Sequence, residues 1–438
     1  MSQRLSASHH FMQAFTFNDG VMHADSVSLP SIADQFGTPT YVYSRTFIEH
    51  QWQSLNDAFG DYPHDIHYAV KANSNIAVLN VLARLGSGFD IVSAGELYRV
   101  LQAGGDASKV VFSGVAKSKS DIEYALNNDV GSLNVESTAE LERINNVARE
   151  MGKTARIALR VNPDVDPQTH PYISTGLATA KFGISIDAAL DVYQLANSMS
   201  NIQIHGVACH IGSQITSTSP FSDALDRVVD LVERLSELGI QIKQLDLGGG
   251  LGIRYDKEQP PTPQAYVAAM LDRLKMRGIT LPIAIEPGRF IVGNAGVLLS
   301  RVEYLKTNTA GDQTTHFAII DAGMNDLMRP SLYQAHHNIT AVDANDEASK
   351  KGLVRHYDVV GPVCESADVL GSNRALAIAE GDLIAIESAG AYSFVMASNY
   401  NSRPRIAEVM VDGDSAHLIK ARETKTQLID GESILPSK

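Results

Sequence analysis

The sequence predicts two architectures in one chain: a (β/α)8 TIM barrel of the α/β class, and an all-β domain built discontinuously by both chain ends. Three observations predict it. A short apolar strand, a polar or Gly-rich strand end and an amphipathic helix recur eight times over roughly 250 residues, the size of one such barrel. From about Val297 onward the rhythm changes to short β-prone runs broken by Gly and Asp turns. The full 438 residues are too many for a single barrel, so two domains are expected. The division read from the pattern is 1–36 for the N-terminal part of the β domain, 37–295 for the barrel and 296–438 for the C-terminal β part.

Taken in order, FTFNDGVMHADSVS carries Asn18-Asp19-Gly20 between two β-prone runs and reads as a hairpin. A short helical SIADQFG follows, then the strand TPTYVYS. The eight barrel strands are HYAVKAN near 67, GFDIVS near 88, VVFSG near 110, SLNVES near 132, RIALRVN near 156, HGVACHIG near 205, QLDLGGG near 244 and PIAIEPGR near 282. The helices between them carry one apolar face, as in AGELYRVLQAG from Ala94 and SDALDRVVDLVERLSELG from Ser222; the second stops at Gly239, the residue type that favours a helix end. VLLSRVEYLK, HFAIIDAG, ALAIAEGDLIAIES and AEVMVDG supply strands of the β domain.

Composition works by exclusion. A formal net charge of −14 argues against nucleic acid and anionic membrane surfaces as partners. No apolar run reaches the roughly 18 residues that span a bilayer, and MSQRLSASHH lacks the apolar core of a secretory leader, so a cytoplasmic protein is expected. The two cysteines, Cys209 and Cys364, fit a reducing compartment better than a disulfide scaffold. No Cys and His spacing suggests zinc, and no metal is expected.

Barrels of this kind place their chemistry at the carboxyl ends of the strands. Lys71 stands there on the first strand, either as an amine whose pKa can fall so that it forms a Schiff base, or as a lysine snorkelling from the mouth. On the seventh strand Gly248, Gly249, Gly250 and Gly252 make a turn whose N–H groups can approach an anion, at the place where barrels bind phosphate; the alternative is a plain tight turn. The eighth ends in EPGR, where Glu286 either pairs with Arg289 or faces a cationic group of a ligand. The sixth supplies CHIGSQ, with His210 as a ring to stack on a ligand or as a core histidine, and Ser213 as a phosphate ligand. Lysine, phosphate cradle and carboxylate together match pyridoxal 5′-phosphate, whose ring acts as an electron sink when its nitrogen is kept protonated.

With those residues in view, the sequence resembles the diaminopimelate decarboxylase family, in the pyridoxal-phosphate group that shares the alanine-racemase and ornithine-decarboxylase fold. The resemblance covers nearly the whole chain. It rests on FGTPTYVYS, YAVKAN, FDIVSAGEL, HIGSQI, LDLGGGLGI, EPGRFIV, RPSLYQAHH, GPVCESADVL and SAGAYSFVMASNYNSRPR, which stand in the family's order. HIGSQ, GGG and EPGR occur across related decarboxylases, but the set as a whole is specific. Ala367 in CESAD, where Gly is more usual, departs from the pattern at no catalytic position.

The resemblance implies Lys71 as the Schiff-base lysine, His210 as the ring-stacking residue and Glu286 as the partner of the pyridine nitrogen. It implies Asp90, Ser213, Gly249, Gly250, Gly288 and Arg289 as further cofactor-binding residues. Arg289, Arg329 and Tyr333 are implied as ligands of a substrate carboxylate, Glu365 as the ligand of the distal amino group, and Tyr392 as a neighbour of both cofactor and substrate. Cys364 is implied as the proton donor, reaching in from the partner subunit of a homodimer. Bland alternatives stand beside these: Cys364 as a small buried hydrophobe, Arg329 as a surface charge, Tyr392 as a core aromatic.

The implied reaction is decarboxylation of meso-2,6-diaminopimelate to L-lysine and carbon dioxide, the last step of lysine biosynthesis. Charge supports that substrate: two guanidinium groups and a phenol suit a carboxylate, and Glu365 suits an ammonium, so the distal group carries both. An ornithine- or arginine-type decarboxylase is the nearer alternative and an amino acid racemase the further one, disfavoured by the strong electron sink that Glu286 implies. A non-catalytic cofactor carrier should lack the β domain, and a dead homologue should lack Lys71 or Cys364.

Overall fold

The computed structural model describes residues 13–166, 181–345 and 354–437, so the reading of MSQRLSASHH falls outside the described residues. β1 (Phe15–Asn18) and β2 (Val21–Ala24) pair antiparallel around Asp19 and Gly20. The φ values of those two residues, 48° and 81°, are the left-handed pair that a two-residue hairpin turn requires. β3 (Val27–Ser28) completes this small sheet. In the Leu29–Phe36 helix Ser28 is the N-cap, its hydroxyl accepting from the Ser31 N–H, and Pro30 occupies the first turn. Leu29 and Ile32 share a core with Val42, Val297 and Val409, which fastens this segment to the β domain.

β4 (Thr40–Ser44) follows the division drawn between residues 36 and 37. It lies antiparallel to residues 296–299 and parallel to residues 407–411, inside the second domain's sheet, and all five of its residues are buried. TPTYVYS stands apart from the eight barrel strands in sequence, and nothing in it records these distant partners. We propose that the barrel unit begins at Arg45.

The eight expected barrel strands are all present. They are β5 (His64–Ala69), β6 (Gly88–Ile91), β7 (Val110–Phe112), β8 (Ser132–Val135) and β9 (Ala155–Asn162), then β11 (Ile202–Cys209), β12 (Gln244–Asp246) and β13 (Ile283–Ile285). Each pairs parallel with the next, and β13 closes the ring on β5. β10 (Ile184–Ser185), absent from the repeat pattern, pairs with β9 outside the ring. The long helix begins at Ser219, ahead of the expected Ser222, because Pro220 fits a first turn; it ends before Gly239, whose φ is 78°.

The β domain adds β14 (Gly296–Ala310), β15 (Gln313–Ile320), β16 (Ile339–Ala341), β17 (Arg355–Val360), β18 (Val369–Leu376), β19 (Leu383–Ile386), β20 (Ala407–Asp412) and β21 (Ser415–Lys420). The sheet order is β18-β17-β15-β14-β4-β20-β21, with β19 pairing β14 and β16. Among the described residues no helix is long and apolar enough to cross a membrane.

A polar seam joins the domains directly behind the first barrel strand. Asn73 Nδ2 donates to the Gly390 carbonyl at 3.2 Å, and the Tyr392 N–H donates to the Ala72 carbonyl at 2.7 Å. Deeper in, buried Glu408 accepts from the Tyr43 hydroxyl at 2.7 Å and from Asn75 Nδ2 at 2.9 Å. Burial raises that carboxyl's pKa, which the two donors oppose.

Candidate active site

The seam shapes the turn that carries Lys71. β5 ends at Ala69, and Val70–Ala72 form one turn of 3-10 helix, so Lys71 sits just beyond the strand. Tyr68 ties the turn down by donating its hydroxyl to the Asn73 carbonyl at 3.0 Å. The amine lies 2.5 Å from Asp90 Oδ2, on the neighbouring strand where Ala69 pairs with Asp90. Burial works against the ammonium, but Asp90 and then Glu286 outweigh it and hold the Lys71 pKa above its ordinary value. Against the expected fall in pKa, a fully buried carboxylate at contact keeps the amine charged.

Three carboxyls crowd beneath that single ammonium. Glu286 and Asp246, at the ends of β13 and β12, are both buried, and Asn134 Nδ2 faces both, at 3.5 Å and 3.4 Å. Burial, followed by the Asp246 and Asp90 charges, pushes the Glu286 pKa well up, and burial raises Asp246 as well. Asp90 Oδ1 is buried with no hydrogen-bond partner. Such a floor is short of positive charge, which fits a protonated ring nitrogen. Of the two roles open to Glu286, pairing with Arg289 is not the one taken.

Arg289 turns instead to neutral partners. Its Nη2 donates to Ser213 Oγ at 3.0 Å and its Nη1 to the Tyr255 hydroxyl at 2.6 Å. The Arg289 guanidinium also lies 4.8 Å from the Tyr392 ring, and the Arg329 guanidinium 5.1 Å from the Tyr255 ring. Arg329 is buried, which rules out a mere surface charge, and burial together with nearby Arg289 works against its own charge. Two guanidinium groups held by hydroxyls and rings keep their charge for an incoming anion. Tyr392 is a cavity wall residue more than a core aromatic; its φ of 56°, unusual for a bulky residue, is held by the bond to Ala72.

The glycine turn after β12 serves its neighbours first. A Cβ on Gly249 would meet the Glu286 carbonyl oxygen at 2.3 Å, and one on Gly250, with φ 121°, the Gly212 carbonyl at 2.6 Å. Gly288 is similarly tight against Ala72 and Ala69, at 2.9 Å and 3.0 Å. The Gly248 N–H donates to Asp246 and the Gly249 N–H to His210 Nδ1, at 3.0 Å and 3.1 Å. Gly250 is the glycine of the trio whose amide serves no side chain among the described residues. His210 is kept neutral by burial, with Arg160 and Lys71 adding to the effect, and its accepting Nδ1 places the ring proton on Nε2.

These groups surround one cavity of about 450 Å³, which Lys71, His210, Ser213, Arg289, Arg329 and Tyr392 help to line, with Tyr333 beside them. Cys364 and Glu365 do not line it. Both are exposed, Cys364 donating its N–H to Asn401 Oδ1 at 2.7 Å and Glu365 accepting from the Tyr400 hydroxyl at 3.3 Å, so Cys364 is no buried hydrophobe. The residues present fit pyridoxal phosphate: an amine, a carboxylate floor, a flat neutral imidazole and, beside Gly250, the Ser213–Arg289 pair.

Residues 45–293 match the family model for the pyridoxal-binding domain of pyridoxal-dependent decarboxylases. The chain is 56% identical to diaminopimelate decarboxylase of Pseudomonas aeruginosa, over 97% of this chain and 100% of that one. The chain belongs to the diaminopimelate decarboxylase family. Among solved structures of that family, the Helicobacter pylori enzyme complexed with L-lysine is 40% identical, with a TM-score of 0.86 over 92% of this chain and 98% of that one. The M. jannaschii enzyme reaches a TM-score of 0.90 at 38% identity, over 97% and 98%. The fold and the cofactor, pyridoxal phosphate, are therefore those of pyridoxal-dependent decarboxylases.

Diaminopimelate decarboxylase motifs did not disclose every residue of this site. Asp246 stands at the end of the seventh strand, the same position that singles out Lys71 on the first, and that signal was available beside the glycines. Asn134 lies one residue before the end of β8. Tyr255 lies in a loop without periodicity and carries no sequence signal.

Proposed function

We propose that this chain decarboxylates meso-2,6-diaminopimelate to L-lysine and carbon dioxide. The observation that carries this is the pair of guanidinium groups, Arg289 and Arg329, whose hydrogen-bond partners among the described residues are neutral and which line one cavity with Lys71. A substrate whose far end is itself an amino acid supplies the anion they need.

Pyridoxal phosphate, when bound, supplies a carbonyl that captures amines and a ring that accepts the electron pair left by a departing carboxylate. Lys71 would anchor it, and His210 would be the residue to stack on its ring. Glu286 holds the proton on the ring nitrogen. Gly250, Ser213, Gly288 and Arg289 would hold the phosphate. Arg289, Arg329 and Tyr333 orient the distal carboxylate, so the carboxyl that leaves is the one at the other end. Glu365 takes the distal ammonium and Cys364 returns a proton to the carbon, both from the partner of a homodimer in the cytoplasm. Their exposure, beside exposed Tyr400 and Leu332, supports a site completed by a second copy.

The test is to load the purified protein with pyridoxal phosphate and offer meso-diaminopimelate, ornithine, arginine and lysine separately. L-Lysine and carbon dioxide should form from the first alone. Equal efficiency on ornithine or lysine overturns the proposal.

Asp90 gives a pH prediction. Its charge raises the Lys71 pKa, so Asp90→Asn lowers it, and the cofactor-free variant should capture pyridoxal phosphate at lower pH than wild type. The visible absorbance that develops on mixing, followed across pH, measures the shift. An unmoved profile removes Asp90 from the charge balance at Lys71.

A further inference from the structure

Arg329 is aimed by a residue that none of these roles includes. His337 is fully buried, and its Nδ1 lies 2.8 Å from the Glu387 carbonyl oxygen. A carbonyl oxygen only accepts, so Nδ1 carries the proton. Nε2 is left as a lone pair, and it takes the Arg329 Nε–H at 3.3 Å. The Glu387 carboxylate is turned elsewhere, to Asn338 and Thr340 at 2.8 Å and 2.6 Å. Burial, with the Arg329 charge behind it, pushes the imidazole pKa down to about 3, so the ring is neutral. Tyr255 meets that ring edge-on, centroids 5.5 Å apart at 81°, and fixes its plane.

We infer that His337 is a positioning residue for substrate: its neutral imidazole anchors Arg329 through Nε and presents the two outer guanidinium nitrogens to the distal carboxylate of the amino acid. The inference rests on the reading of Arg329 as that carboxylate's ligand. The kind of anchor decides the outcome. An aspartate in this place would neutralise the guanidinium and compete with the substrate, whereas a neutral acceptor fixes the plane and leaves the whole charge to be used. Nothing on Arg329's own helix, residues 329–333, does this. The anchor comes from the loop that leads to β16, pinned to the end of β19 by the Glu387 N–H donating to the Asn338 carbonyl at 2.9 Å.

L-Lysine keeps the distal carboxylate of diaminopimelate, and cadaverine is the same molecule without it. The two are titrated calorimetrically into the holoenzyme. His337→Asn keeps a donor near the Glu387 carbonyl but has no atom at the Nε2 position; His337→Gln restores an acceptor there. His337→Asn should weaken L-lysine binding by roughly ten-fold or more, the size expected for a hydrogen bond to a charged group, with cadaverine binding and the cofactor's visible absorbance unmoved. His337→Gln should recover most of the loss, and His337→Asn should add nothing on an Arg329→Leu background, since it acts only through Arg329. L-Lysine affinity within two-fold of wild type in His337→Asn, with Arg329→Leu still impaired, overturns the inference alone. Equal losses for lysine and cadaverine also overturn it. If Arg329→Leu itself leaves L-lysine binding unchanged, the reading of Arg329 fails, and the inference with it.

Discussion

Lys71→Ala and Cys364→Ala proteins, each inactive alone, should regain about one quarter of wild-type activity per site when mixed in equal amounts under subunit exchange. Cys364 is exposed and stands outside the cavity that Lys71 lines, and a symmetric dimer brings identical patches together. Random exchange makes half of the dimers hybrid, and each hybrid has one site that takes its lysine from one chain and its cysteine from the other. Its second site has neither, so about half of half of the sites are whole. The visible absorbance of the lysine-linked cofactor should be absent from Lys71→Ala and present in Cys364→Ala. No activity despite demonstrated exchange would place both residues in one protomer and sink the shared site.

Arg329→Leu should lose roughly 30- to several-thousand-fold in kcat/KM for meso-diaminopimelate, the cost of leaving a charged partner unpaired in a desolvated site. The loss is specific to one end of the substrate. Arg329 takes no part in the Lys71–Asp90 contact and shares its surroundings with Tyr255 and Tyr333, at 5.1 Å and 6.0 Å from its guanidinium, so cofactor absorbance should be unchanged. Leucine approximates the buried stem without the charge, and a melting temperature near wild type would separate lost binding from lost folding. A variant that keeps its kcat/KM removes Arg329 from substrate recognition.

The barrel was legible because each of its units repeats one local rule, apolar strand then polar end, and Lys71, Glu286 and Arg289 stand out by breaking the apolar pattern at those ends. The N-terminal hairpin was legible for a similar reason, since Asp19-Gly20 specifies its own turn. What stayed hidden depends on distance along the chain. The partners of β4 lie more than 250 residues away, and no residue of TPTYVYS records them. Lys71 meets Asp90 by strand register, and its raised pKa follows from a contact that no periodicity encodes. His337 was in view within RPSLYQAHH, yet its service to Arg329 depends on a carbonyl fifty residues on.

The central place of β4 sets a timetable for synthesis. Val42 and Tyr43, almost wholly covered in the finished protein, leave the ribosome long before the segments that will cover them, and roughly 250 residues must be added before Gly296 appears. At typical elongation rates that is on the order of 10 to 50 s, during which the barrel can close while β4 waits with both edges bare. An unpaired apolar strand is a template for pairing with the wrong chain. Nascent chains stalled before residue 296 should therefore recruit holdase chaperones through residues 40–44, and the recruitment should end once residue 411 has emerged and β20 has taken its place on the other edge.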